Sequence, residues 1–129
     1  MAGEVFSSAL DDAYLWAAIR YVERNPVRAR LVRRAEDYRW SSAAAHCEKR
    51  QDSILTVDRQ WTGRLSSVDD WSTWLGDGDR PRQRELLRRH IERGLPCGSE
   101  EIVSRLERLS GRSLRFRPRG RPERDAEQE

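Results

Sequence analysis

A single tyrosine lies beside a row of arginines in the segment RYVERNPVRARLV, residues 20–32. The phenol of Tyr21 is a candidate nucleophile for attack on a phosphodiester, because a phenolate is able to act first as attacking and later as leaving group. Guanidinium groups bind phosphate through paired hydrogen bonds, so the neighbouring side chains are candidate DNA contacts. These are Arg20, Arg24, Asn25, Arg28 and Arg30. An ordinary solvated helix flank is the alternative interpretation.

The basic residues are almost all arginine, and they are unevenly distributed. Of 25 basic residues, Lys49 is the one lysine. Residues 20–39 hold seven arginines against three acids, residues 80–124 hold fourteen against six, and residues 52–79 hold two against six. Two basic blocks around an acidic one favour nucleic acid as the partner. Charged helix faces and an arginine-rich coding bias are the alternatives.

Length and composition restrict the class of protein. The chain has 129 residues, of which 36% are hydrophobic and 36% charged, so a large single-core catalytic domain is unexpected. No apolar run approaches the roughly 18 residues of a membrane span, and no signal peptide is recognisable, which predicts a cytoplasmic protein with no membrane partner. Cys47 and Cys97 form no C-x-x-C pair and are expected to be free thiols.

The candidate nucleophile is predicted to lie at the end of an amphipathic helix. Leu15, Ile19 and Val22 form one apolar stripe, and Asp11 is placed to cap the helix. The helix must end just before Pro26, because proline disfavours helical geometry in the preceding residue and has no amide hydrogen. The tyrosine therefore falls in the last turn, on a flank beside the stripe.

After the proline, the sequence predicts a short helix in the alanines that follow DYRWSS. Ser41 or Ser42 is placed to cap it, and Tyr38 and Trp40 are expected to anchor the turn in the core. The stretch 48–60 is polar and mixed, and a loop is predicted there.

Three further helices are marked by their ends. Ser67 and Asp70 resemble a capping box before a short helix that stops at Gly76. Pro81 opens a second helix, whose outer face is rich in arginine, and Gly94 closes it. The third helix begins after Ser99 and ends at Gly111. Their expected apolar stripes are Val68, Trp71 and Leu75; Leu86, Leu87 and Ile91; and Ile102, Leu106 and Leu109.

The C-terminal residues carry too few apolar side chains to fold alone. Their arginines alternate with Phe, Pro and Gly, which is typical of a flexible arm that lies along a nucleic-acid groove. These candidate DNA contacts are Arg115, Arg117, Arg119 and Arg121. An unstructured solubilising tail is the alternative. With no alternating strand pattern, the fold class is predicted to be mainly α, divided into segments 1–47, 48–79, 80–112 and 113–129.

The combination of RYVERNPVRARLV with DYRWSS resembles the C-terminal part of the REP-associated tyrosine transposases, relatives of the single-tyrosine HUH transposases. LPCGSEEIVSRLERLSGR and RPRGRP are also similar to that family, so the resemblance spans most of the chain. It implies the helical part of a ferredoxin-like α/β nuclease domain whose sheet-bearing half is missing. It also implies that Tyr21 is the nucleophile of a transposase, which cleaves and joins DNA strands through a covalent phosphotyrosine.

The chain departs from the family pattern at two places. The family holds a divalent metal with a His-hydrophobic-His motif, whereas this chain has only His46 and His90, both expected at the surface or its boundary. No metal site is therefore predicted here, and Mg²⁺ or Mn²⁺ is expected only if a partner supplies the histidine pair. Arg30 stands where the family commonly has glycine, so a left-handed turn there would be strained.

Three functions remain open from the sequence. The chain could complete an active site with a histidine-bearing partner chain or in a homo-oligomer. It could bind single-stranded or hairpin DNA as a non-catalytic regulatory remnant. It could also be a decayed open reading frame that folds poorly.

Overall fold

The computed structural model describes residues 7–55 and 57–117, and nearly all regular structure in them is helical. The helices are α1 Asp12–Glu23, α2 Asn25–Arg28, a 3-10 helix Ala35–Asp37, α3 Ala43–His46, α4 Arg59–Leu65, α5 Trp71–Gly76, α6 Pro81–Glu92 and α7 Glu100–Ser110. The described ranges contain one isolated parallel bridge, between Leu10 and Cys97, and no strand. The mainly α class is confirmed. Over these same residues, every helix is too short or too polar to cross a membrane.

Helix α1 begins and ends where local chemistry predicts. The Asp11 carboxylate accepts a hydrogen bond from the Tyr14 amide at 2.9 Å, which confirms the cap. The helix ends at Glu23, and after Arg24 the chain makes one further turn with Pro26 at its start. Proline is tolerated there because the first-turn amides have no intrahelical acceptor. The expected basic connection is thus partly helical.

The buried side of α1 differs from the predicted stripe. Val22 is 59% exposed, whereas Glu23 is 2% exposed. Leu15, Ile19 and Glu23 are spaced by four residues, so the glutamate occupies the next position of the same face. The inclusion of Val22 in the stripe was wrong, because the hydrogen-bonding partners of Glu23 bury the glutamate instead.

The main core lies between α1, α3, α5 and the 3-10 helix. Its buried members are Ala35, Ala43, Trp71 and Leu75. Trp16 and Trp74 pack on Trp71 with ring centroids 6.2 and 4.8 Å away. Burial of these large aromatic surfaces supplies much of the hydrophobic stabilisation available to so polar a chain.

Trp40 does not anchor the core. Its side chain is 74% exposed, and the Arg39 guanidinium lies 4.5 Å from its ring centroid. The turn is held by the serines, since the Ser41 hydroxyl accepts from the Ala43 amide at 3.3 Å. Ser42 directly precedes α3, but its hydroxyl donates a hydrogen bond to the Glu23 carboxylate and does not cap the helix.

The middle of the chain contains one helix that the sequence did not reveal. Asp58 caps α4 by accepting from the amides of Gln60 and Trp61 at 2.9 and 3.1 Å. The capping box at Ser67 was wrong, because its hydroxyl donates to the Arg64 carbonyl at 2.7 Å. Asp70 caps α5 instead, because its carboxylate accepts hydrogen bonds from the amide and the hydroxyl of Thr73.

Helices α6 and α7 have the predicted ends. Pro81 lies in the first turn of α6, and Gly94 and Gly111 follow the two helices with φ of 63° and 65°. Ser99 accepts from the Ile102 amide at 3.4 Å and caps α7. The apolar stripe predicted for α7 was wrong. Two of its members are exposed, Ile102 at 37% and Leu109 at 76%, whereas the neighbouring Val103 is buried at 8%.

The two cysteines are free thiols, as predicted. Cys97 is buried where the chain before α1 meets the chain before α7, with its amide 2.8 Å from the Ala9 carbonyl. Burial raises the pKa of the Cys47 thiol to about 11, so this group stays protonated near neutral pH.

Arg30 has left-handed geometry, with φ of 59°, so the turn in which the sequence analysis expects strain is present. A residue with a β-carbon is strained in this conformation by about 1 to 2 kcal/mol. Glycine relieves the strain, but it loses more backbone entropy on folding.

Arg30→Gly is expected to raise the free energy of unfolding by about 0.5 to 1 kcal/mol, measured by urea denaturation. Arg30→Ala keeps the β-carbon and is the matched control. Equal stability of the two variants would contradict the strain.

Candidate nucleic-acid interface

Tyr21 lies in the last turn of α1, half-buried, as the sequence predicted. The Arg28 guanidinium lies 4.2 Å from its ring centroid and also donates to the Tyr21 carbonyl. Among the described residues the tyrosine hydroxyl has no hydrogen-bond partner, and it is absent from the buried polar atoms that lack one. The hydroxyl is therefore reachable from solvent while the ring is held by a cation.

A narrow crevice separates Tyr21 from α6. It has a volume of about 10 Å³, and its walls include Arg84 and Leu87 of α6, Arg80 directly before that helix, and Ala17 of α1. Leu87 is 1% exposed, so it is the side chain that packs α6 toward α1. The tyrosine ring thus lies at a helix–helix contact with arginines of α6 beside it.

A further arginine of α6, Arg88, lies close enough to Tyr21 to interact with it electrostatically. Its pKa is raised, chiefly by the hydrogen bond to Glu85 and to a smaller extent by the charge of Glu92. Arg80, Arg84 and Arg88 recur every fourth residue along one side of α6. This four-residue spacing is the sequence feature from which one arginine-rich face of the second basic block could have been predicted.

The Arg20 side chain contacts other residues of this protein. Its guanidinium lies 4.2 Å from the Trp74 ring centroid, and Nη1 donates to the Gly78 carbonyl at 3.3 Å. Its Nε is buried without a partner in the described part of the chain. Burial lowers the pKa of Arg20, although nearby Asp77 and Asp79 raise it. The side chain therefore packs α1 on α5 and the turn after it.

Asp79 binds two of the predicted phosphate contacts. Its carboxylate lies 3.4 Å from Arg24 Nε and 2.8 Å from Arg28 Nη1, with 8% of its side chain exposed. Arg24 also donates to the Leu75 carbonyl, and Arg28 to the Asn25 side chain. The structure thus brings Tyr21, Asn25, Arg24 and Arg28 together, with one carboxylate partly balancing their charge.

The remaining predicted contacts are dispersed. Arg30 is exposed in the turn after α2. Arg115 packs against α7, where it bonds Glu100 and Glu107 and donates to Ser104 at 2.8 Å. Arg117 is exposed. Two further candidates lie outside the described residues, namely Arg119 and Arg121.

Glu23 forms a buried network that the sequence did not reveal. Its Oε1 accepts from the Ser42 hydroxyl at 2.5 Å and lies 2.6 Å from His46 Nδ1. Its Oε2 accepts from Trp71 Nε1 at 2.7 Å. The carboxylate thereby links α1, α3 and α5. The four-residue spacing that puts Glu23 on the buried face of α1 was the available signal.

Both histidines are half-buried, at the boundary between surface and core where they were expected, and each ring contacts a hydrogen-bonding group. The His46 side chain is 11% exposed beside Glu23, and its ring centroid lies 4.9 Å from that of Trp71. His90 Nδ1 is 2.8 Å from the Pro96 carbonyl. Across residues 7–55 and 57–117, no three His, Cys, Asp or Glu side chains are grouped so as to hold a metal ion.

Comparison with known proteins yields no relative. No protein-family model matches the chain, and neither the curated proteins nor the solved structures contain a significant match.

Proposed function

We propose that this protein binds single-stranded or hairpin DNA at the α1–α6 contact, with Tyr21 in the position of a transposase nucleophile. One observation carries this function: a solvent-reachable phenol lies between arginines of two different helices. Phosphates of a bound strand would be held by Arg80 and Arg84, whose guanidinium groups make no ion pair in the described residues.

The chain by itself is proposed to bind DNA rather than cleave it. A phenol is mostly protonated near pH 7, because its ordinary pKa is about 10, so attack needs a metal ion or a strong positive field. The chain has two histidines and no His-x-His motif. Strand cleavage through Tyr21 would therefore require a histidine pair from outside these 129 residues, together with Mg²⁺ or Mn²⁺.

Removal of two crevice arginines tests DNA binding. Arg80→Gln with Arg84→Gln is expected to weaken binding to a single-stranded oligonucleotide by on the order of tenfold at low salt. The slope of log affinity against log salt is expected to fall by about 1.4, since each phosphate contact on a single strand contributes about 0.7. Fluorescence anisotropy over a salt series measures both quantities.

The matched control replaces Arg105 and Arg108 with glutamine. Both are exposed on α7 and have no ion pair in the part of the chain that is described. This pair is expected to retain the wild-type slope. If both double variants lose affinity equally, binding reflects diffuse positive charge and not a site at Tyr21. If the wild-type protein binds no oligonucleotide at low salt, the proposed function is wrong.

A further inference from the structure

A second arginine face lies on the other side of α6 from Tyr21. Arg82, Arg89 and Arg93 are seven and four residues apart, so they share one side of a helix with about 100° per residue. Leu87, which packs toward α1, points about 120 to 160° away from them. This face is therefore separate from the crevice that holds the tyrosine.

Phe116 covers part of this second face. Its ring centroid lies 4.2 Å from the Arg89 guanidinium carbon and 4.3 Å from that of Arg93. The ring is held in place from the other direction as well, because the neighbouring Arg115 bonds Glu100 and Glu107 of α7. A half-buried aromatic side chain is thus fixed beside two cations.

A cavity of about 560 Å³ opens between this ring and α6. This volume lies within the range of small-molecule sites, roughly 300 to 1,000 Å³. Its walls are mixed, with Pro81, Leu86 and Phe116 apolar and Arg82 and Arg89 cationic. The cavity thus combines a flat apolar surface with adjacent phosphate-binding groups.

The charge of this cavity is predominantly positive. Arg82 and Arg89 line it, and Arg93 lies beside Phe116; none of the three makes an ion pair with any other described residue. The one carboxylate in the wall, Glu85, is bound by Arg88 through Nη2 and Nε at 3.0 and 3.2 Å. Its charge is therefore compensated from outside the cavity.

His90 adds a polar group at the cavity wall. Its Nδ1 is 2.8 Å from the Pro96 carbonyl, which only accepts hydrogen bonds, so Nδ1 carries a proton. In the neutral ring, Nε2 is then an acceptor. An imino or amino group on the edge of a base is a suitable donor to it.

We propose that this cavity holds one nucleotide of single-stranded DNA, with the base against Phe116 and Leu86 and its phosphates on Arg82 and Arg89. A nucleotide combines a flat π-system with negative charge, which are the two properties that the cavity walls complement. This assignment rests on the proposed DNA-binding function, but it uses residues that Tyr21 and its crevice do not contact.

Two oligonucleotides of about eight nucleotides test the site, an oligothymidylate and an abasic strand of the same length. Phe116→Ala is expected to weaken oligothymidylate binding at least about fivefold and to leave abasic binding unchanged, because the abasic strand retains only sugar and phosphate. Phe116→Trp is expected to retain wild-type affinity for both. Trp40→Ala is the matched control, since Trp40 is also stacked with an arginine but does not line this cavity.

Each outcome decides the assignment. Equal affinity of Phe116→Ala and wild type for oligothymidylate would overturn the nucleotide site while leaving DNA binding at Tyr21 intact. Equal losses on both strands, or an equal loss in Trp40→Ala, would also overturn it. If wild type binds neither strand, the proposed function fails. Titration with thymidine monophosphate then tests separately whether the cavity binds a nucleotide. Nuclear magnetic resonance shifts confined to residues 82–93 and 116 would support it, and their absence would overturn it.

Discussion

Replacing Glu23 with alanine is expected to lower the free energy of unfolding by about 3 to 5 kcal/mol. Glu23 is 2% exposed, and its carboxylate accepts hydrogen bonds from three side chains, those of Ser42, His46 and Trp71. Removing the acceptor leaves these donors buried without a partner and opens a void between α1, α3 and α5. Both effects destabilise the folded state, and each alone costs more than a typical surface substitution.

Urea denaturation of two glutamate variants measures this effect. Glu92→Ala is the matched control, because Glu92 is an exposed residue of α6 that forms an ion pair with Arg88. That substitution is expected to change stability by less than about 0.5 kcal/mol. Glu23→Gln is expected to be intermediate, since its amide retains one oxygen acceptor but directs an NH₂ group at a donor. Similar midpoints for Glu23→Ala and Glu92→Ala would contradict the role of the network.

Acid is expected to destabilise the protein between about pH 4.5 and pH 2 through Glu36. Burial raises the pKa of this carboxyl, but hydrogen bonds from Ser72 and Lys49 and the charge of Arg34 outweigh burial and hold the pKa at about 2. A folded-state pKa below the unfolded value of 4.5 gives stability that is present above pH 4.5 and lost as the pH falls through 2. The full shift corresponds to about 3 kcal/mol.

The pKa of Glu23 is lowered as well, so its contribution is lost in the same direction. Burial raises this pKa, and hydrogen bonds from His46, Ser42 and Trp71 outweigh that effect. Free energies of unfolding from urea titrations at several pH values between 7 and 2.5 test the prediction. In Glu36→Gln, the free energy of unfolding is expected to fall less on acidification than in the wild type. The difference should be most of the contribution assigned to Glu36. An identical pH profile in wild type and Glu36→Gln would contradict the assignment.

The arginines show how far sequence alone identifies a candidate site. Their number beside Tyr21 predicted a phosphate-binding surface, and that surface remains a prediction. Arg24 and Arg28 bind Asp79, which lies 55 and 51 positions away in the chain. Arg80 and Arg84, which belong to the distant basic block, line the crevice at the tyrosine. Charge counts along a sequence do not record which side chains face each other after folding.

Local chemistry determined where most helices begin and end. Asp11, Ser99, Pro81 and Gly111 act within one helical turn, so their effects are readable from adjacent residues. The left-handed geometry at Arg30 is equally local.

Only the tertiary structure decided which faces of those helices are buried and which charges are paired. Trp40 and Leu109 are exposed although both are strongly apolar, whereas Glu23 is buried because three donors converge on it. Burial of a side chain depends on groups supplied by distant segments, and those groups come together only when α1, α3 and α5 pack. The sequence by itself thus determined the ends of most helices and the supply of arginines, and packing decided which of these arginines lie beside Tyr21.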